Sequence, residues 1–494
     1  MSMQRALLGM VAAVLCPLAL AQSLPAEVAA ALGRAKIPTD AVTLLVVDAQ
    51  GRVPARLSHR AQVALNPASV IKLVSTYAAL DLLGPAYRWR TSVYVQGTVR
   101  EGTLHGNLYI QGGGDPKLVV ERLWLLLRRV QALGMHRISG DIVLDTNAFE
   151  PVSEDPGSFD GEPLRPYNAS PDALLINFKS VGMTFVPVRS SGSAAVQYEP
   201  PLLGVQMQTT VPLASVDQSA CGDYRAALQA DFSDPQRIRF AGAFPGACPE
   251  KTWSVAYADP ASYNRRAVGA MWREIGGELS GTVREGRLPP PGGAGAPAEL
   301  MFEMSSQPLS ELIRDINKYS NNVMAQQVFL TLSLPAREED VALPASAPAV
   351  QMQPLRGASR EASREVLRRW WRERIGGDDV PGLDNGSGLS RSARISAQAL
   401  ARMLQHAYRS ALMPELMASL PMNGVDGTLK RRRANARGSA HLKTGSLRDV
   451  AAVAGYVHAA SGKRYCLVAI VNHPNAGAAR AGFDALVDWT INDD

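Results

Sequence analysis

Helix-patterned segments crowd the two ends of this chain, and the residues between them, from about 90 to 300, read mostly as short strands separated by turns. Near the start, "SLPAEVAAALGRAKI" has helical spacing and "VTLLVVDAQGRVPARLS" alternates like a hairpin turning at Gln50-Gly51. "NPASVIKLVSTYAALDLLG" (66 to 84) then reads as a well-packed helix. Helical spacing returns in "SELIRDINKYSNNVMAQQVFLTL", "ASREVLRRWWRERI" and "SAQALARMLQHAYRSAL". The end of the chain supplies the strands "AHLKTGS", "VAAVAGYVHA" and "KRYCLVAIVNH", then a helix from about Ala476 to Ile491. The fold this implies is α+β, a cluster of helices covering an antiparallel sheet, interrupted by a large, mostly β insertion.

At 494 residues the chain is too long for one core. In the middle, "TSVYVQG", "GTLHGNLYIQG" and "RISGDIVLD" are strand-like, Gly112 to Pro116 punctuates them, and "LVVERLWLLLRRVQALG" is helical. "LPPPGGAGAPAE" (288 to 299) carries a boundary signature. The expected division is a catalytic part from 22–89 and 301–494 around an accessory region from 90–300. Two small β-rich subdomains are expected in that region, about 107–172 nested in 90–106 plus 173–300.

Arg5, the apolar run from Ala6 to Leu20 and the small-x-small site Ala19-Leu20-Ala21 read as a secretory signal peptide over 1–21, which places the mature chain in the periplasm. Bulky Leu15 argues against lipid attachment at Cys16. In an oxidising compartment Cys221 and Cys248 can pair, whereas Cys466 lies in an apolar run and reads as a buried thiol. Seven histidines without ligand spacing support no metal, and no cofactor is expected. The net charge of +6 allows a weak association with an anionic membrane surface. "KRRRANAR" (430 to 437) is equally a solvated turn or a steering patch, and nucleic acid is a poor partner for a secreted chain.

Ser69 and Lys72 are three residues apart, which puts both on one helical face. They are either solvated trim or a nucleophile and its base. Asn66-Pro67 marks the helix start, so Ser69 falls in the first turn, where backbone N–H groups lack intrahelical partners. The apolar residues around Lys72 favour its neutral form. Ser320-Asn321-Asn322 offers a hydroxyl and a carboxamide in a helical region, and Lys443-Thr444-Gly445 offers a cation and a close backbone approach in a strand. The order S-x-x-K, S-x-N, K-T-G is that of penicillin-binding proteins and class A β-lactamases.

With these motifs, and with "GGGDPKL" (112 to 118), "DNGSGLSR" (384 to 391), "VDGTL" (425 to 429) and "KTGSL" (443 to 447) in order, the chain resembles the low-molecular-mass class C penicillin-binding proteins of peptidase S13 type. The resemblance spans essentially the whole mature chain. It implies a serine β-lactamase/transpeptidase-like domain and a D-alanyl-D-alanine carboxypeptidase that also cuts cross-links as an endopeptidase. Peptidoglycan stem peptides are then the substrates, and β-lactams are acylating inhibitors. One departure is Asn385, where the family usually has Asp before Gly-Ser-Gly; Asp384 lies one position earlier.

From chemistry and resemblance together, Ser69 attacks the penultimate D-alanine carbonyl and Lys72 takes its proton. Ser320, held by Lys72 and Lys443, passes a proton to the leaving amine, and Asn322 orients the substrate amide. Lys443 and Thr444 hold the terminal carboxylate beside Gly445, and the N–H groups of Ser69 and Ser446 form the oxyanion hole. The resemblance also suggests that Asp160 or Glu162, with Arg391, meets the polar end of the diaminopimelate side chain; the alternative is exposed loop charge. Rival functions are a serine β-lactamase, disfavoured because no deacylating glutamate loop is visible, and a non-catalytic wall-binding protein, disfavoured by the intact motifs.

Overall fold

The computed structural model describes residues 23–152, 154–214, 221–290, 296–335, 357–432 and 437–493. The signal segment and most of the stretch from 336 to 360 lie outside the described residues.

Five strands form an all-antiparallel sheet in the order Ala440–Leu447, Val450–His458, Arg464–Asn472, Val42–Asp48, Leu57–His59. Alternation along a strand sends successive side chains to opposite faces, and here both faces are buried. Ala452, Ala454, Tyr456, Cys466, Val468 and Ile470 face one helical layer, built from Lys72–Leu83, Leu309–Tyr319, Asn322–Thr331, Arg360–Trp370 and Ala397–Arg409. Val453, Val457, Leu467, Ala469 and Val471 face the other, built from Ala26–Arg34 and Arg480–Ile491. Burial on both sides explains why "KRYCLVAIVNH" reads as a continuous apolar run.

Two features go beyond the expected layout. "SELIRDINKYSNNVMAQQVFLTL" is two helices, because Ser320 takes a left-handed backbone conformation, φ +58°, and ends the first. Asn321 then caps the second, accepting the Met324 N–H at 3.0 Å. The expected boundary near 106/107 falls inside the strand Thr103–Gly112. That strand pairs with Arg90–Arg100 on one side and with Arg137–Ile138 and Ile142–Asp145 on the other. Glu278–Leu279, Val283–Glu285 and Glu299–Ser305 complete the same seven-stranded sheet.

Ser180–Val188, Ser193–Glu199, Thr210–Pro212 and Lys251–Ala256 form a separate antiparallel sheet of four, and a common apolar core joins the two. Cys221 and Cys248 are disulfide-bonded there, while Cys466 is a buried free thiol in the five-stranded sheet.

Candidate active site

The turn that presents Ser69 is clamped by amides. Asn66 donates its N–H to Asn472 Oδ1, and Asn472 Nδ2 donates back to the Asn66 carbonyl, both at 2.9 Å. Asn66 Nδ2 donates to the Ser390 carbonyl, and its Oδ1 accepts the Ala68 N–H. Pro67 then supplies a fixed φ, and fully buried Ala68 is held at φ +47°, a conformation that L-residues seldom adopt. Ser69 follows in the 3₁₀ turn Ala68–Ile71, ahead of the α-helix Lys72–Leu83. Two glycines let the backbone close around it. A Cβ at Gly388 would lie 2.1 Å from the Ala68 carbonyl oxygen, and one at Gly445 would lie 3.0 Å from the Ser69 nitrogen.

Lys72 is fully buried and has three neighbours. Its Nζ lies 2.8 Å from Ser69 Oγ, 2.6 Å from Asn322 Oδ1 and 2.5 Å from the Ser387 carbonyl oxygen. Burial, then the charge of Lys443, hold its pKa well below the ordinary lysine value. A neutral amine has two N–H groups and one lone pair. Two of the neighbours can only accept, and the third is a hydroxyl that can donate, so the shell satisfies a neutral lysine with the Ser69 proton pointing at it.

Lys443, also fully buried, donates to Ser320 Oγ at 2.8 Å and to the Thr444 carbonyl at 2.7 Å. Burial brings its pKa down to about 7. Ser320 is therefore held by Lys443, whereas the contacts of Lys72 go to Ser69, Asn322 and Ser387; the expectation that both lysines hold Ser320 is corrected to that extent. Reversal of the chain at Ser320 points its hydroxyl toward the strand bearing Lys443. Thr444 shares a 2.8 Å hydrogen bond with Thr428, and Ser446 is exposed on the same strand.

Ser69, Lys72, Ser320, Asn322 and Lys443 thus come together, with Thr444, Gly445 and Ser446 along one side. Asp160, Glu162 and Arg391 stand outside that set. Asp160 braces its own loop, accepting from the Glu162 N–H, Asn168 Nδ2 and the Tyr167 hydroxyl. Exposed Glu162 pairs with Arg165 at 3.3 Å. Arg391 pairs with Asp449 and lies over the Phe159 ring, 4.6 Å from its centroid. A hydrogen bond joins this loop to the central group, Asn322 Nδ2 donating to the Tyr167 carbonyl at 3.4 Å.

Sequence reasoning missed Ser387, whose contribution is a backbone carbonyl with no side-chain signature. It also missed the part played by Asn385, whose Oδ1 accepts from the Ser387 N–H and hydroxyl while its Nδ2 donates to the Leu389 carbonyl. An aspartate could accept there but not donate. Asp384 turns away, toward Arg364 at 3.7 Å.

The description of the D-Ala-D-Ala carboxypeptidase 3 (S13) family matches residues 24–493. The D-alanyl-D-alanine carboxypeptidase DacB of Haemophilus influenzae is 25% identical over 414 residues, 83% of this chain and 81% of that protein. A D-alanyl-D-alanine carboxypeptidase of Actinomadura sp. strain R39 is 27% identical over 434 residues, 84% of this chain and 74% of that protein. Among solved structures, penicillin binding protein 4 (dacB) of Haemophilus influenzae superposes with a TM-score of 0.69 at 21% identity, covering 93% of this chain and 99% of that one. A complex of that protein with a β-lactam superposes at 0.65, with 20% identity and the same coverage. With a match over almost its whole described length and a serine–lysine centre built on the corresponding fold, the chain belongs to the D-Ala-D-Ala carboxypeptidase 3 (S13) family.

Proposed function

We propose that this carboxypeptidase removes the terminal D-alanine of peptidoglycan stem peptides, and cuts cross-links, through an acyl-enzyme on Ser69. One observation carries the residue assignment: a buried lysine whose three neighbours suit a neutral amine, one of them the Ser69 hydroxyl. Lys72 takes the proton as Ser69 Oγ bonds to the penultimate carbonyl carbon, and the N–H groups of Ser69 and Ser446 receive the oxyanion. Ser320, polarised by Lys443, gives its proton to the leaving amine, and the proton Lys72 took from Ser69 passes by way of a water to restore the Ser320 hydroxyl. The C–N bond breaks, D-alanine leaves, and water attacks the ester to restore Ser69.

Lys443 and Thr444 bind the departing carboxylate, and Asn322 aligns the peptide amide. Glu162, freer than Asp160, joins Arg391 in meeting the polar end of the third stem residue; their place beside the loop that reaches Asn322 supports this. The catalytic part comprises about 22–89 and 306–494, and 90–305 is the accessory region, ending in the strand Glu299–Ser305. Periplasmic secretion by the 1–21 segment is supported by the disulfide. The net positive charge supports weak contact with anionic membrane surfaces.

The test is hydrolysis of a stem pentapeptide ending in D-Ala-D-Ala, alongside labelling by a fluorescent penicillin. Wild type should release D-alanine and label once per chain, and Ser69→Ala should do neither. Label retained in Ser69→Ala would sink the assignment, and rapid turnover of a chromogenic cephalosporin would instead favour a β-lactamase.

A further inference from the structure

The turn from the block "VDGTL" bridges the end of the helix Leu309–Tyr319 and the strand Ala440–Leu447. Asp426 Oδ2 accepts from Lys318 Nζ at 2.6 Å, and Asp426 Oδ1 accepts the Met422 N–H at 2.8 Å. Lys318 is buried in the last turn of the helix Leu309–Tyr319, two residues before Ser320. Gly427, at φ +55°, runs so close to this helix end that a Cβ would lie 2.6 Å from the Lys318 carbonyl oxygen. The next residue, Thr428, reaches the opposite strand, where Thr444 Oγ donates to its Oγ at 2.8 Å. The turn is therefore anchored on the segment that carries Ser320 and delivers a single hydroxyl to Thr444.

We propose that Thr428 is a positioning residue for recognition of the substrate's terminal carboxylate, acting through Thr444; this rests on the reading of Lys443 and Thr444 as carboxylate ligands. A threonine hydroxyl has one proton. Before substrate enters, Thr444 spends its proton on Thr428. When a carboxylate arrives, both hydroxyls rotate: Thr428 donates to Thr444, and Thr444 donates to the carboxylate oxygen. No proton leaves its oxygen, and the direction of the bond reverses. Two hydroxyls in series polarise one another, so the second donates more strongly than it would alone. Fixing of the turn by the Asp426–Lys318 pair and by Gly427 keeps the Thr428 oxygen in place for that rotation.

The experiment compares kcat/KM for a stem pentapeptide with a free C-terminal carboxylate and for its C-terminal amide, in wild type, Thr428→Val and Thr428→Ser. In Thr428→Val the acid-to-amide ratio should fall roughly three- to tenfold, the range expected for one hydrogen bond. Thr428→Ser should restore it. A merely structural role would lower both substrates alike, and that outcome, like an unchanged ratio, overturns the proposal. Ser69→Ala measured in parallel keeps the two readings apart. Hydrolysis persisting there sinks the acyl-enzyme assignment, whereas an unchanged ratio in Thr428→Val with Ser69 still labelled sinks only the role of Thr428.

Discussion

The amide oxygen of Asn322 accepts a 2.6 Å hydrogen bond from Lys72 Nζ, so its carboxamide serves the base before any substrate arrives. A neutral acceptor leaves the lysine free to lose its proton; a carboxylate would not. In Asn322→Asp the added negative charge should raise the Lys72 pKa toward its ordinary value. Acylation by penicillin at pH 7 should fall more than about tenfold and recover as pH rises, since one unit of pKa is a factor of ten in the neutral fraction. Rate constants measured across pH check this. A fall equal at every pH would contradict it.

Lys443 carries the opposite requirement, because it must be charged to attract a carboxylate. Burial lowers its pKa to about 7, so the free enzyme loses that charge as pH rises through neutrality. On pentapeptide, kcat/KM should rise at low pH as Lys72 deprotonates and fall above about 7 as Lys443 does. A bound carboxylate favours the ammonium, so the descending limb of kcat should lie at higher pH than that of kcat/KM. Coincident limbs would argue against direct pairing of Lys443 with the substrate.

Gly388 has φ +81°, and a Cβ there would lie 2.1 Å from the Ala68 carbonyl oxygen and 2.9 Å from the Ser69 nitrogen. Gly388→Ala must displace the nucleophile turn. Misplacement of a reacting group by about 1 Å costs on the order of a hundredfold in rate, so labelling by penicillin should slow by about that factor. The melting temperature should also fall, by an amount matching roughly 1–3 kcal/mol of overpacking. Calorimetry and stopped-flow labelling read the two effects separately.

The Cys221–Cys248 bond closes a loop with a sequence separation of 27 in one apolar core, and Val70 and Ile71, which follow Ser69, belong to a different core. Replacing both cysteines by serine should remove roughly 3.5 kcal/mol of chain-entropy stabilisation from the accessory region. Labelling at 25 °C should persist while the thermal midpoint drops. Loss of labelling before any unfolding would show that the accessory region holds the catalytic geometry directly.

Much of the centre is legible from spacing. Ser69 and Lys72 share a helical face at any reasonable helix geometry, and "VAAVAGYVHA" and "RYCLVAIVN" are apolar enough to fit strands buried on both sides. The left-handed residue at Ser320 was harder to see, although Asn321 before an apolar run is an N-cap signal that divides the segment into two helices. Acceptors such as the Ser387 carbonyl belong to the backbone and are set by how a loop folds. Short parallel pairings, such as Ile142–Asp145 with Val283–Glu285, depend on partners far apart in sequence, and hydrophobic period carries no record of them. The reversed chain at Ser320 and the amide of Asn385 are where local reading fell shortest, and both lie at the site.

The strands Arg90–Arg100 and Glu299–Ser305 run antiparallel, with Arg90 opposite Ser305. The chain between residues 90 and 305 therefore leaves and re-enters at one two-stranded stem, and it also packs on the helix Asn322–Thr331 through Gly114, Tyr167 and Asp172. For the catalytic body, the chain between the two strands amounts to a long loop with its ends already joined, and closure entropy grows only as the logarithm of loop length. Insertions within that loop, away from the residues that pack on the helix Asn322–Thr331, therefore leave its two ends where they are.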